Sequence, residues 1–206
     1  LYGFLGIRSI PYFVGFLFTS FIGVVMINSF NLIDGIDGNA AFASLLGFTL
    51  FALFFFGVDN EVMFGLCILL VGMNIGYLPI NFSKTKKGFM GDTGAMFMGF
   101  MLFFMTLLTV NSNSVLLGNL IESKSIIPLM PLTVFSLPII DTLSIYIYRL
   151  SIGKSPFSPD NFHLHHLALR YFNTNHMISA LGLNFFTLVF AVVMSYFSFN
   201  HKPIVS

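Results

Sequence analysis

Residues 28–38, with the sequence NSFNLIDGIDG, bring four carbonyl-bearing polar side chains into ten residues of an otherwise apolar chain. These side chains are Asn28, Asn31, Asp34 and Asp37. They recur at every third position, so neighbouring pairs meet on a helix surface. Their oxygens are hard donors suited to Mg²⁺, and the glycines between them allow a close approach to a ligand. Helix capping explains one such residue but not four, so we interpret the cluster as functional.

A second cluster, KKGFMGDTG at residues 86–94, leads directly into an apolar segment. Asp92 and Thr93 could simply cap that helix, where the helix dipole favours an acidic residue. The same arrangement of free N–H groups, glycines and two lysines also forms an anion site. A metal-bound diphosphate would satisfy both the lysines and Asp92.

The third cluster occupies residues 149–166, RLSIGKSPFSPDNFHLHH, and contains three histidines in four residues. Zinc binding is disfavoured, because there is no helical HExxH arrangement and no cysteine or further histidine to complete a tetrahedral site. A phosphate cradle built from Arg149, Lys154 and the imidazoles of His163, His165 and His166 fits better. The alternative is an interfacial loop with incidental histidines.

The composition predicts an all-α integral membrane protein. The 206 residues are 56% hydrophobic and 8% charged, with a mean hydropathy of +0.90, whereas soluble domains carry about 25% charged residues. A net charge of +1 excludes the basic footprint of a nucleic-acid-binding protein. The lone Cys67 gives neither a disulfide framework nor a thiolate metal cluster, and we interpret it as a buried space-filler.

Six apolar segments are long enough to span a membrane and lack the alternation of a β-barrel. We therefore expect one transmembrane domain over residues 1–206, a polytopic bundle of about six helices. The predicted spans are 11–30, 40–57, 62–80, 94–110, 127–148 and 176–199. Six basic residues lie in or beside the loops on one side and three lie on the other, which places the loops at 31–39, 81–93 and 149–175 in the cytoplasm.

Four of the eight acidic residues and three of the five histidines fall in these same loops, although lysine and arginine alone determine the predicted orientation. Asp141 lies inside a predicted span, where an acidic residue is costly unless it faces the bundle interior or water. We interpret His176 and His201, at span ends, as interfacial. The chemistry is therefore expected on the cytoplasmic face.

The strings NSFNLIDGIDG, GFMGDTGAMFMG and RLSIGKSPFSPDNFHLHH resemble, in the same order, three signatures of the polyprenyl-phosphate N-acetylhexosamine-1-phosphate transferases of glycosyltransferase family 4. The His-Leu-His-His string resembles the branch that uses UDP-GlcNAc and undecaprenyl phosphate in enterobacterial-antigen and teichoic-acid initiation. The phospho-muramoyl-pentapeptide branch usually has three consecutive histidines and is the less favoured alternative.

The resemblance implies that a polyprenyl phosphate attacks the β-phosphorus of a UDP-HexNAc in the bacterial cytoplasmic membrane, releasing UMP. It implies Mg²⁺, or alternatively Mn²⁺, and allows a homodimer. The residues that it implies at the site are Asn31 and Asp92 as metal ligands, Asp34, Asp37 and His163 in catalysis, and Asn28, Phe89, Arg149, His165 and His166 in substrate binding. Phe89 is expected to stack on uracil and Asp37 to hydrogen-bond it, with Asp34 supporting the same pocket.

One departure from the family pattern is that this sequence contains no adjacent acidic pair, whereas the family has an upstream Asp-Asp motif. Since the chain also begins with Leu1, we expect an N-terminal truncation and an isolated chain that is inactive. An ion-coupled transporter, a CDP-alcohol phosphotransferase and a non-catalytic remnant are competing hypotheses. A transporter would place its acidic residues near the membrane midplane in broken helices, and the phosphotransferase would need a later D-x-x-x-D motif.

Overall fold

The computed structural model describes residues 11–111, 129–155, 164, 167, 169 and 175–200. Seven helices and no strand are described in these ranges. They are α1 Tyr12–Leu32, α2 Asn39–Gly57, α3 Glu61–Asn81, α4 Gly91–Asn111, α5 Leu129–Val134, α6 Ser136–Ser151 and α7 His176–Asn200. The prediction of an all-α fold is confirmed.

Within the described part of the chain, four helices are long and apolar enough to cross a membrane. These segments are Tyr12–Leu32, Asn39–Gly57, Glu61–Asn81 and Gly91–Val110, and a shorter apolar helical stretch covers His176–Phe190. Most of α1 and α3 faces outward with exposed Phe, Leu, Ile and Val side chains, as expected for surfaces in contact with lipid. The protein is therefore a multi-pass, all-α integral membrane protein.

The predicted fifth span, 127–148, differs from the structure because the described helix is interrupted at Phe135. Pro138 has no N–H to donate to the carbonyl of Val134, and its ring clashes with that carbonyl. Accordingly α5 ends at Val134, and α6 starts at Ser136 and continues to Ser151. The sequence predicted a single span over 127–148, so this prediction is corrected.

The core of the bundle is centred on α2, which packs against α3, α4 and α7. Its inward face carries Phe48, Phe51 and Phe55, all at most 1% exposed. The ring of Phe30 on α1 meets that of Phe135 edge-on, with 6.5 Å between centroids. Large aromatic side chains thus fix the positions of the helix ends that carry the polar clusters.

Helices α1 and α4 run antiparallel in close contact, with glycine backbones at two crossing points. A Cβ at Gly23 would lie 2.7 Å from the Phe103 ring, and one at Gly99 would lie 3.2 Å from the Cα of Ile27. Gly23 thus faces Phe103, and Ile27 faces Gly99. Continuing this antiparallel register by four residues on each helix brings Asn31 level with Ala95. The residues that follow α1 then come level with the first turn of α4.

Candidate functional site

Two loops meet at one end of the bundle, which we call the loop end. The first is the turn 33–38 between α1 and α2, and the second is the segment 82–90 between α3 and α4. Lys87 Nζ lies 2.7 Å from Asp37 Oδ2, which joins the loops across 50 residues of sequence. The first and second sequence clusters therefore come together.

Three carboxyl groups share this end. Burial raises the pKa of Asp34 to about 6, and the negative charges of Asp92 and Asp37 act in the same direction. Asp92 lies exposed in the first turn of α4, and Asp37 is partly buried beside Lys87. The carboxylates are thus close enough to repel one another, which is the environment in which a cation or a cationic side chain binds favourably.

Phe89 presents its ring to the outside of the loop end, with 73% of the residue exposed. The ammonium of Lys87 lies 5.1 Å from the centroid of that ring. Lys87 therefore contacts both Asp37 and Phe89, the two residues for which the resemblance implies contacts with uracil. An exposed aromatic ring next to a carboxylate acceptor can stack on a planar base and hydrogen-bond its edge.

The last turns of α1 carry the two amides of the first cluster. Asn28 is exposed and Asn31 is partly buried, and their spacing places them on the same face of the helix. The register between α1 and α4 places Asn31 level with Ala95, one turn from Asp92. Asn31, Asp34 and Asp92 therefore lie at the same level of the bundle.

The side chains at the loop end that could hold a metal ion offer amide and carboxylate oxygens. Within the described ranges, no three side chains among His, Cys, Asp and Glu form a group able to hold a metal ion. Mg²⁺ commonly uses one or two protein oxygens and completes its shell with substrate phosphates and water. The hard oxygens of Asn31 and Asp92 fit that type of binding, and the repulsion at Asp34 favours a positive charge.

His176, which was predicted from the sequence to be interfacial, contacts the site. It is the first residue of α7, and its Nδ1 lies 3.0 Å from Asp37 Oδ2. The same nitrogen lies 3.3 Å from the backbone N–H of Asp37, so a neutral ring accepts that bond and a protonated ring donates to the carboxylate. No local sequence pattern pointed to this contact, because 139 residues separate the partners.

Helix α7 supports the turn 33–38 at a second point. Asn184 Nδ2 donates to Asn39 Oδ1 at 3.0 Å, and Asn39 Nδ2 donates to the carbonyl of Ile33 at 2.9 Å. Both asparagines are buried, at 7% and 1% exposure. This chain of bonds connects the middle of α7 to the start of the turn, so α7 braces the residues around Asp34 and Asp37.

The third cluster lies mostly outside the described residues, including His163, His165 and His166. Arg149, in the last turn of α6, is buried, and its guanidinium lies 6.0 Å from the ring of Tyr146. Asp141, 1% exposed, accepts a hydrogen bond at 2.7 Å from the backbone N–H of Leu164. The acidic residue inside the span thus bonds to the third cluster.

Comparison with known proteins identifies the family. The family model for glycosyl transferase family 4 matches residues 1–110. A probable undecaprenyl-phosphate N-acetylglucosaminyl 1-phosphate transferase from Bacillus subtilis is 31% identical over 166 residues, covering 80% of this chain and 43% of that protein. The undecaprenyl-phosphate alpha-N-acetylglucosaminyl 1-phosphate transferase of Yersinia pestis is 30% identical over 159 residues, covering 76% and 41%.

A decaprenyl-phosphate N-acetylglucosaminephosphotransferase from Mycobacterium leprae is 31% identical over 167 residues, covering 75% of this chain and 41% of that protein. The chain thus spans less than half the length of these curated relatives. The family model covers both loops of the loop end, and the relatives extend the similarity over three quarters or more of the chain. On these matches, the chain belongs to glycosyl transferase family 4.

Proposed function

We propose that the protein containing this chain transfers a HexNAc-1-phosphate, specifically GlcNAc-1-phosphate, from a UDP-sugar to a membrane polyprenyl phosphate such as undecaprenyl phosphate. UMP is released, and the lipid-linked sugar starts the synthesis of a cell-envelope polysaccharide. The names of the Bacillus and Yersinia relatives support the donor sugar and the lipid acceptor. The membrane-spanning helices agree with an acceptor that resides in the bilayer.

The contact of Lys87 with both Asp37 and Phe89 carries the proposal from the structural side. These side chains come from two loops, and the family resemblance assigns Phe89 and Asp37 to the uracil of the donor. The ammonium of Lys87 donates to the Asp37 carboxylate at 2.7 Å. This bond limits the rotation of the Asp37 side chain beside the exposed ring of Phe89. A base bound at Phe89 would leave the diphosphate near the first turn of α4, where free N–H groups favour anions.

In this scheme Asn31 and Asp92 would hold Mg²⁺. A bound Mg²⁺ would neutralise charge on the diphosphate and on the transferred phosphoryl group. Asp34 is close enough to Asp92 and Asp37 to feel both of their charges, and it would support the same pocket. Arg149 and the histidines of the third cluster, His163, His165 and His166, are assigned to the sugar and phosphate end, with His163 in the catalytic group.

The chain's own residues contribute mainly by positioning the donor. The polyprenyl phosphate oxygen forms a bond to the β-phosphorus while the bond from that phosphorus to the UMP oxygen breaks. Fixed donors and cations around the diphosphate stabilise the charge that develops in this transfer. The excess of lysine and arginine in and beside the loops at 31–39, 81–93 and 149–175 supports an orientation of the site toward the cytoplasm. The bacterial cytoplasmic membrane as the location and a homodimer stay predictions.

The described geometry disfavours the transporter hypothesis, because the carboxylates of Asp34, Asp37 and Asp92 lie at helix ends and not at the middle of the spans. The phospho-muramoyl-pentapeptide branch is also less favoured, since the Bacillus, Yersinia and Mycobacterium relatives carry N-acetylglucosamine in their names. A non-catalytic remnant is distinguished from an enzyme only by assay.

The deciding experiment measures UMP release from UDP-GlcNAc and undecaprenyl phosphate by the complete protein in detergent, with and without Mg²⁺. We expect metal-dependent turnover that Asp92→Asn abolishes and that the matched change Asp59→Asn, at the opposite end of α2, leaves intact. No turnover by the intact protein, with a homologous transferase active in the same assay, would refute the proposal. If Asp92→Asn released UMP as fast as the wild type and with the same dependence on Mg²⁺, Asp92 would not belong to the site.

The 206-residue chain alone is expected to be inactive in the same assay. It covers 41–43% of the Bacillus and Yersinia relatives and has no adjacent acidic pair of the kind that the family carries upstream. Robust UMP release by this chain would contradict the expectation while leaving the transfer reaction itself supported.

A further inference from the structure

A single side chain, Asn81 at the end of α3, bonds to both loops of the loop end. Its Oδ1 accepts a hydrogen bond at 2.7 Å from the backbone N–H of Gly38, and its Nδ2 donates at 2.9 Å to the carbonyl of Gly88. Asn81 is 4% exposed. In the sequence it stands at the boundary of a predicted loop, where nothing assigns it a role.

The two partners determine the orientation of the Asn81 amide, with Oδ1 toward Gly38 and Nδ2 toward Gly88. Gly38 offers an N–H, which needs an acceptor, and Gly88 offers a carbonyl, which needs a donor. A flipped amide would set two donors against each other on one side and two acceptors on the other. Among side chains of this size, only an amide or a protonated carboxylic acid supplies both groups.

Ordinary helix capping does not account for the arrangement. The segment after α3 folds back on the helix end, since the N–H of Gly88 donates to the carbonyl of Ile80 at 3.2 Å. A local cap explains a bond from Asn81 to Gly88, seven residues away. It does not explain the bond to Gly38, which lies 43 residues away on the other loop.

The positions of the two glycines make this contact significant for the site. Gly38 directly follows Asp37, and Gly88 directly precedes Phe89. Gly38 has φ +80°, and a Cβ there would clash with the ring of Phe82, so the turn has little room to move. A shift at either glycine is transmitted to the neighbouring Asp37 or Phe89 through one peptide unit.

We propose that Asn81 is a positioning residue that sets the separation between Asp37 and Phe89, and thereby the affinity for the uridine part of a sugar nucleotide. The inference rests on the proposed function for the identity of that ligand. Lys87 joins the same two loops on their exposed side, at 35% side-chain exposure, whereas Asn81 joins them inside the bundle. The buried contact is the one shielded from water and salt.

The test uses two substitutions at Asn81 and one matched control in the complete protein. Asn81→Leu removes both bonds and leaves the Gly38 N–H without its partner. Asn81→Asp keeps the acceptor but sets a carboxylate against the Gly88 carbonyl until the acid is protonated. The control is Asn74→Leu, since Asn74 is equally buried two turns earlier on α3 and bonds to Ser44 and Leu70 but to neither loop.

We expect Asn81→Leu to raise the KM for UDP-GlcNAc about tenfold or more, as follows from leaving a buried N–H unpaired at a site where positioning controls binding. The KM for the polyprenyl phosphate should stay within about twofold of the wild type by the same positioning argument. Asn81→Asp should show a defect that shrinks as the pH falls from about 8.5 to about 6, because burial raises the pKa of the introduced acid. Asn74→Leu should leave the ratio of the two KM values unchanged.

Other titrating groups surround this position, so each variant is compared with the wild type at every pH. They are Tyr77 on α3, whose hydroxyl donates to the carbonyl of Gly88, Asp34 and Asp37 after α1, whose charges act on Tyr77, and Lys87 and His176, which contact Asp37. A pH profile of Asn81→Asp parallel to that of the wild type would overturn the proposal. An equal rise of both KM values in Asn81→Leu would do the same.

A readout that needs no substrate separates this inference from the proposed function. The segment 82–90 contains three lysines, so trypsin reports how firmly it is held. Asn81→Leu should be cleaved there several times faster than Asn74→Leu, even if UDP-GlcNAc is not the donor. Equal cleavage of the two variants would show that Asn81 does not fix the loop.

Discussion

Replacing Lys87 by methionine tests whether the contact between the two loops contributes to donor binding. Methionine keeps most of the length and apolar volume of the side chain and removes the charge. The change deletes the 2.7 Å ion pair with Asp37 and the contact with the Phe89 ring at 5.1 Å. We expect the KM for UDP-GlcNAc to rise while kcat changes less, because the contacts that are lost belong to the base end of the donor.

The magnitude follows from the exposure of the partners. The side chains of Lys87 and Asp37 are 35% and 18% exposed, so solvent screens the pair partly. An ion pair of this kind contributes up to about 1 kcal/mol, and an exposed cation–π contact about 0.5–1 kcal/mol. The sum of about 0.5–2 kcal/mol corresponds to a rise in KM of about twofold to thirtyfold at 25 °C.

The assay is UMP release at varied UDP-GlcNAc and saturating polyprenyl phosphate, with Lys84→Met as the control. Lys84 lies exposed in the same segment and, among the described residues, forms no ion pair. It therefore reports the effect of removing one positive charge from the loop. Equal effects of the two substitutions would show that general charge is responsible, and an unchanged KM in Lys87→Met would refute the reasoning.

Two further predictions concern stability. Asp34→Asn should raise the thermal unfolding temperature, measured with EDTA, more at pH 8 than at pH 4.5. Because the pKa of Asp34 is raised from 3.8 to about 6 in the folded protein, ionisation of this carboxyl group lowers the stability of the folded state as the pH rises through that range. An equal gain at both pH values would contradict this. Gly38→Ala should destabilise the protein by about 1–3 kcal/mol, because φ is +80° and the added Cβ meets Phe82. Gly72→Ala, which has open space around it in α3, should cost nothing, and matching losses in the two variants would argue against strain at Gly38.

The fold and the grouping of the acidic residues were accessible from sequence because they depend on simple regularities. Long apolar segments predicted helices, and their order placed residues 33–38 and 82–90 at the same end of the bundle. The interruption at Phe135 was missed, because proline is often tolerated in membrane helices. Pro79 lies inside the continuous helix α3, whereas the helix ahead of Pro138 is interrupted. The roles assigned to Asn31, Asp92 and Phe89 stay predictions.

The contacts that fix the site could not be predicted from local patterns. His176 meets Asp37 across 139 residues, and Asn81 meets Gly38 across 43. Each depends on how α7 and α3 are placed against the turn 33–38, and one sequence contains no periodic signal for such placement. Residues of this kind resemble ordinary helix-end residues until the packing is known.

The distribution of charge at the loop end favours a site whose parts are held before the ligand arrives. Three carboxylates repel one another there, and the pKa of Asp34, raised first by burial, also reflects that repulsion. Left alone, such a turn would relax outward toward water. It is retained by the exposed contact of Lys87, by the buried amide of Asn81 and by the brace from Asn184 through Asn39. Because these three supports come from different parts of the bundle, a nucleotide diphosphate that enters with its metal ion would meet the carboxylates and the aromatic ring already in place, and little of its binding energy would be needed to order them.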